Sequence, residues 1–179
     1  STRHFIVDNC AMAGRSSKTF LEEGRLEDIK RHLKEGDYLL IQFGHNDASA
    51  SRAERYVPVE QFGDMLESYV RAARDCKAVP VLLSSICLYP CRENEEGEKG
   101  AIAAALPRYA EEMRRLAERE GIPYIDFGTV TGNLLKELSR EETAGYYRED
   151  KVHLTEEGAG VFSCLAAEAL KKVIARDKR

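Results

Sequence analysis

The stretch Gly36-Asp37-Tyr38-Leu39-Leu40-Ile41-Gln42-Phe43-Gly44-His45-Asn46-Asp47 decides how the chain is read. Its middle, Tyr38 to Phe43, is a short, mostly apolar run, of strand length and too brief for a helix. A strand this apolar is covered on both faces, which is the pattern of a parallel sheet and not of a half-solvated antiparallel one. Gly36-Asp37 is a short helix-to-strand connection, and at Gly44 the polarity changes abruptly to four small or polar residues.

Working outward, three more runs of this kind read as strands: Phe5 to Val7, Val79 to Ser85, and Pro123 to Phe127. Helical spacing fills the segments Lys18 to Leu33, Val59 to Cys76, Ala101 to Glu120, and Thr155 to about Ala175. Lys77-Ala78 is a second short connection, and Gly121 stands where a left-handed helix cap is expected. Thr155, followed by Glu156 and Glu157, predicts a helix start, because the hydroxyl accepts a free backbone N–H and the carboxylates favour the positive helix end. Alternating strands and helices predict an α/β fold with a parallel sheet and right-handed crossovers. The 179 residues read as one domain without repeats, long enough to bury roughly 70% of the unfolded surface. Arg92 to Gly100 is polar and reads as an exposed loop bordering a site.

Composition narrows the function classes. At 43% hydrophobic and 32% charged residues, with no run of membrane-spanning length, a soluble protein without a membrane partner is expected. A formal charge of -4 gives no electrostatic reason for a polyanionic partner, so nucleic acid is not expected. Five cysteines without framework spacing leave at least one thiol unpaired, which favours a reducing, cytoplasmic compartment. Cys87 and Cys91 supply two ligands where a structural zinc takes four, so no metal is expected there.

In open α/β sheets ligands bind beyond the carboxyl ends of the strands, so the loops there are the candidate site. Asn9 to Ser17 is a small-residue loop opening a helix, whose free N–H groups are expected to face an anion, with Gly14 permitting close approach. Gly44-His45-Asn46-Asp47 follows the second strand. Asp150-Lys151-Val152-His153 precedes the last helix and puts a carboxylate three residues from an imidazole. Acyl transfer needs a base near neutral pH, a carboxylate to orient it, and N–H donors for the oxyanion. His153, Asp150, Gly14 and Asn46 suit those roles, and a nucleophile is missing from the set. The competing reading takes His45, Asp47, Asp150 and His153 as N and O ligands of a metal-dependent hydrolase.

These residues resemble the SGNH hydrolases, and within them the rhamnogalacturonan acetylesterase-like group, over nearly the whole chain. Asn9-x-Ala11-x-x-Gly14-Arg15-Ser16-Ser17-x-Thr19-Phe20-x-x-Glu23-Gly24-Arg25-Leu26 is similar to that group's second block. Gly36 to Asp47 is similar to its third, and Asp150-x-x-His153-Leu154-x-x-x-Gly158-Ala159 to its last. The resemblance implies a three-layer α/β/α sandwich with a parallel, flavodoxin-like sheet. It implies His153 as general base, Asp150 as its partner, and Gly14 and Asn46 as oxyanion donors, with Ser16 and Ser17 capping the helix or touching substrate. The implied activity is hydrolysis of acetyl esters on a pectin-type carbohydrate through an acyl-serine, without metal or organic cofactor.

The departure is the first block. No Gly-Asp-Ser occurs in the chain, since Gly36-Asp37 is followed by Tyr38 and Gly63-Asp64 by Met65. By resemblance the chain is therefore a single domain over residues 1–179, truncated at its N-terminus, lacking the first strand and inactive in isolation. That strand would lie between Phe5–Val7 and Tyr38–Phe43, and its loss bares two rows of backbone groups, which favours self-association. A noncatalytic carbohydrate-binding or interaction module on the same scaffold is the alternative from another functional class.

Overall fold

The computed structural model describes residues 6–89 and 97–177. Three parallel strands form the sheet, β1 (Tyr38–Ile41), β2 (Val79–Leu83) and β3 (Tyr124–Ile125), in the order β1-β2-β3. Tyr38 pairs with Val79 and Ile41 with Leu82; Leu83 in turn pairs with Ile125. Around them lie α1 (Ser17–Glu22), α2 (Arg25–Lys30), α3 (Val59–Asp75), α4 (Glu98–Glu120), α5 (Phe127–Glu137), α6 (Arg140–Tyr146) and α7 (Glu156–Asp177).

The period-2 alternation of the strands divides the core into two faces. Ile41 and Leu82 point to one side and pack with Phe20, Leu26, Phe62, Leu66, Met113 and Leu116 of α1 to α4. Val81, Leu83 and Ile125 point to the other and pack with Leu135, Tyr147 and Phe162, from α5 to α7. Helices on both faces of a parallel sheet give the expected three layers. In α3, Phe62, Leu66, Tyr69, Val70 and Ala73 fall on one helical stripe and are buried. Gly121 closes α4 at φ 62°, as its position predicts, and the hydroxyl of Thr155 accepts the Gly158 N–H at 3.1 Å to start α7.

Three expectations are corrected. The Lys18–Leu33 helix is two short helices, because Gly24 adopts φ 73° and turns the chain between α1 and α2. Ile6 and Val7 form no strand: they are 98% and 85% exposed, and among the described residues no strand lies beside them to take up their backbone groups, while Phe5 lies outside the described residues. Pro123–Phe127 shortens to two residues, because Asp126 caps α5 by accepting the Thr129 N–H at 3.1 Å and Phe127 is already helical. Both α5 and α6 are additions to the expected order. Of Arg92–Gly100, residues 92–96 lie outside the described residues and Glu98–Gly100 already belong to α4.

On its outer side β1 pairs with no described strand. Leu40 of this strand is 44% exposed. Among the described residues, no helix is long and apolar enough to cross a membrane. Cys10, Cys76, Cys87 and Cys164 carry free thiols, and Cys91 lies outside the described residues.

Candidate active site

The second-block loop owes its shape to bonds within itself. Ser16 and Thr19 form a reciprocal capping box at the start of α1, with Thr19 N donating to Ser16 Oγ at 3.2 Å and Ser16 N to Thr19 Oγ1 at 2.9 Å. Arg15 spans to Glu23 at 2.9 Å, and Arg25 reaches the other oxygen of the same carboxylate at 2.5 Å. Phe20 anchors the segment in the core. Gly14, at the exposed tip, has φ 77°. Ser17 is fully buried and gives both its N–H and its hydroxyl to Asp47. At the helix start expected to face an anion, the Ser17 N–H is taken by Asp47 and the Thr19 N–H by Ser16, and both serines are fully buried.

The third-block loop meets it directly. Asn46 Nδ2 donates to the Arg15 carbonyl at 3.0 Å, so one amide hydrogen is fixed beside Gly14 and the second projects from a held side chain. Gly44 has φ 140°, and a Cβ there would come within 2.5 Å of Ser85 Oγ, so this motif position takes glycine both for its backbone angle and for close approach to the loop after β2. His45 is enclosed beside the Ile86 carbonyl, and its Nε2 has no partner among the described residues. Burial pushes its pKa down to about 4, the Ile86 carbonyl opposing and the charge of His153 adding to the shift, so the ring is neutral at physiological pH.

The last-block loop is self-contained. Asp150 Oδ1 accepts the N–H groups of Val152 and His153, both at 2.9 Å, while Oδ2 meets His153 Nδ1 at 2.6 Å. The His153 ring bond and the two N–H groups hold the Asp150 carboxyl well below the usual carboxylate range. A carboxylate on Nδ1 selects the tautomer whose Nε2 lone pair is free to act as a base. The loop is braced from behind: Arg148 N donates to His153 O at 2.8 Å, Tyr147 pairs with Leu154, and the Tyr147 hydroxyl bonds the Cys87 carbonyl at 2.6 Å. Lys99 Nζ, from the first turn of α4, donates to the Asp150 carbonyl oxygen at 2.6 Å.

Thus Gly14 and Asn46 are joined through Arg15, and Asp150 and His153 through their own hydrogen bond. The metal-hydrolase set fails on Asp47, whose side chain is fully buried with its oxygens already accepting from Ser17 and Gly44. Among the described residues no group of three His, Cys, Asp or Glu side chains suits a metal ion. Lys99 and the Ser17–Asp47 pair escaped sequence reading, because nothing in spacing reports a contact 51 or 30 residues apart.

The fold is a parallel sheet covered on both faces, with a carboxylate-held histidine on the loop ahead of α7. Residues 2–161 match the GDSL-like lipase/acylhydrolase family, and the chain belongs to that family of carboxylic ester hydrolases. It is similar to the probable rhamnogalacturonan acetylesterase YesY of Bacillus subtilis, at 32% identity over 95% of this chain and 78% of the relative. Rhamnogalacturonan acetylesterase RhgT of the same organism is 32% identical over 94% of this chain and 75% of its own length. These relatives place the chain in the rhamnogalacturonan acetylesterase-like group of the SGNH hydrolases. Among solved structures, B. subtilis YxiM superposes with a TM-score of 0.76 at 24% identity, covering 94% of this chain and 46% of that one. Axe2, an acetylxylan esterase of Geobacillus stearothermophilus, does so at 0.66 and 17%, covering 90% and 68%. Those two likenesses concern the fold.

Proposed function

We propose that the chain carries the base, the orienting carboxylate and the oxyanion donors of a carbohydrate acetylesterase, with acetylated rhamnogalacturonan-type pectin as substrate. The observation that carries the reading is the 2.6 Å contact of His153 Nδ1 with Asp150. In this scheme His153 Nε2 takes the proton of a serine hydroxyl as its oxygen attacks the acetyl carbonyl. Gly14 N–H and the second Asn46 Nδ2–H receive the oxyanion. The proton then passes to the departing sugar oxygen, which leaves as the alcohol; water, deprotonated by the same imidazole, attacks the acyl-serine, and that proton returns to the serine oxygen as acetate is released.

The serine would come from a Gly-Asp-Ser strand pairing with the open side of β1 and completing the domain. The exposed large hydrophobic residues of the described chain, Ile6, Val7, Met12 and Leu40, belong to β1 and to the segment ahead of α1. Such a strand would cover Leu40 and satisfy the backbone of β1.

The test joins a Gly-Asp-Ser strand and helix ahead of Ser1 and follows acetate release from acetylated rhamnogalacturonan and from 4-nitrophenyl acetate. Turnover is expected in the fused protein and little in the 179-residue chain, with His153→Ala lowering the fused protein's rate on the order of 10⁴-fold or more. A folded fusion that releases no acetate, or one indifferent to His153→Ala, overturns the reading. The noncatalytic module is favoured by one observation, the lack of Gly-Asp-Ser among the 179 residues. Sugar binding by the fusion without ester turnover would decide for it.

A further inference from the structure

We infer that Asp47 is the positioning residue of this site: its carboxylate locks the Gly14–Ser17 loop to the Gly44–Asp47 loop and so sets the spacing of the two oxyanion donors. The inference rests on the acyl-transfer reading for the role of those donors; the lock itself rests on geometry.

Asp47 Oδ1 accepts from Ser17 N at 2.9 Å and from Ser17 Oγ at 2.5 Å, while Oδ2 accepts from Gly44 N at 3.0 Å. Ser17 N and Gly44 N can only donate, so each Asp47 side-chain oxygen must accept, as the two oxygens of a carboxylate do. One carboxylate thus spans two loops that are 30 residues apart in sequence, three residues from Gly14 on one side and adjacent to Asn46 on the other.

The lock is anchored from outside as well. The Tyr69 hydroxyl of α3 holds the Ser17 carbonyl at 2.6 Å. The Asp47 carbonyl accepts Val57 N at 3.0 Å and the Tyr109 hydroxyl of α4 at 3.2 Å. The Asn46–Arg15 bond then transmits the fixed spacing to the donor amide. Oxyanion donors act through preorganisation, so an ångström of play between Gly14 and Asn46 is expected to cost on the order of 10²-fold in rate.

The test compares ¹⁵N-labelled chain with Asp47→Asn and Ser17→Ala, and with Leu135→Ala as a core variant destabilised on the other face of the sheet. In Asp47→Asn an NH₂ group must oppose a backbone or hydroxyl donor. The Gly14 amide and Asn46 side-chain resonances should shift or broaden, and Ser17 and Gly44 amide exchange should quicken on the order of 100-fold. Ser17→Ala should move the same signals in the same direction by less, and decides the matter if Asp47→Asn does not fold. Leu135→Ala should leave Gly14 and Asn46 in place despite its lower melting temperature. In the fused, turnover-competent protein, Asp47→Asn should lower kcat on the order of 100-fold with KM little changed. Undisturbed Gly14 and Asn46 signals, equal disturbance in Leu135→Ala, or a rate loss that merely follows the folded fraction would each overturn the inference. The resonance measurements need no turnover, so they succeed or fail independently of the esterase reading.

Discussion

Asp47 and Asp150 lie on two loops of the candidate site, each surrounded by hydrogen-bond donors, yet they live under opposite constraints. The Asp47 side chain is fully buried, and burial pushes its carboxyl up against the pull of Ser17 and Gly44. The Asp150 side chain is 44% exposed, and the donors of its own loop hold it down. Desolvation is what separates them, since the donor environments are similar. One carboxylate is placed to bind loops together and the other to orient an imidazole that is itself 67% exposed. Stability and chemistry should therefore separate cleanly between the two.

The largest effect that would break this comparison concerns Asp150→Asn. With Nδ1 no longer facing a carboxylate, the fused protein should lose on the order of 10⁴-fold in ester turnover. Its melting temperature should stay within error of the parent, because the carboxylate's bonds are local and solvated. A large melting shift would make Asp150 a structural residue like Asp47. Asp47→Ala should behave the other way and cost about 3 kcal/mol in urea unfolding, since Ser17 N–H, Ser17 hydroxyl and Gly44 N–H are left buried without acceptors. Loss of turnover at unchanged stability would reverse the assignment.

His45 sharpens the comparison through pH. Its folded pKa of about 4 lies below the unfolded value of 6.5, so the unfolded chain binds the proton first as pH falls. The stabilisation is whole above pH 6.5 and is lost between 6.5 and 4, amounting to about 3 kcal/mol for the full interval. Asp47 contributes with the opposite sign, since a carboxyl raised by burial is favoured folded when protonated. The difference between parent and His45→Gln isolates the histidine. Parallel urea midpoints for the two from pH 6.5 to 4 would show that the ring is not held neutral by enclosure.

How much of this was legible follows from what sequence patterns encode. Tyr38–Ile41, Val79–Leu83 and the long helices were readable because apolar period reports the direction of burial. The split of Lys18–Leu33 was not, since Phe20, Leu21, Leu26 and Ile29 keep helical spacing across a glycine whose φ of 73° no pattern announces. Helix α6 did leave a signal: Ser139-x-x-Glu142 is a capping box, with Glu142 N on Ser139 Oγ at 3.2 Å and Ser139 N on Glu142 Oε2 at 2.8 Å. Ile6–Val7 misled because branched apolar residues describe a strand only when a neighbouring strand exists to receive it. At the site, the Asp150–His153 pair was readable because it is local, whereas the Ser17–Asp47 lock joins loops that only the fold brings together.

Gly158 shows how a motif position can be legible as a letter and opaque as a cause. It sits within the last block, yet it touches none of the candidate chemistry. A Cβ built on it would run into the backbone of Tyr146, with the Cα at 2.8 Å and the carbonyl oxygen closer still. That contact is the crossing of α6 and α7, and the neighbour is main chain, which cannot swing aside as a side chain would. Thr155 is bound to the same turn, its N–H to the Tyr146 carbonyl at 3.0 Å and its hydroxyl to the Gly145 carbonyl at 2.7 Å. Gly158→Ala should therefore cost about 1–3 kcal/mol by forcing α7 away from α6. Because Tyr147 and Leu154 are paired across this crossing, the displacement should reach His153 and lower turnover of the fused protein in proportion to the loss of that pairing. A variant with unchanged stability and turnover would show that the helices can part without disturbing the loop, and that the base is held by Asp150 alone.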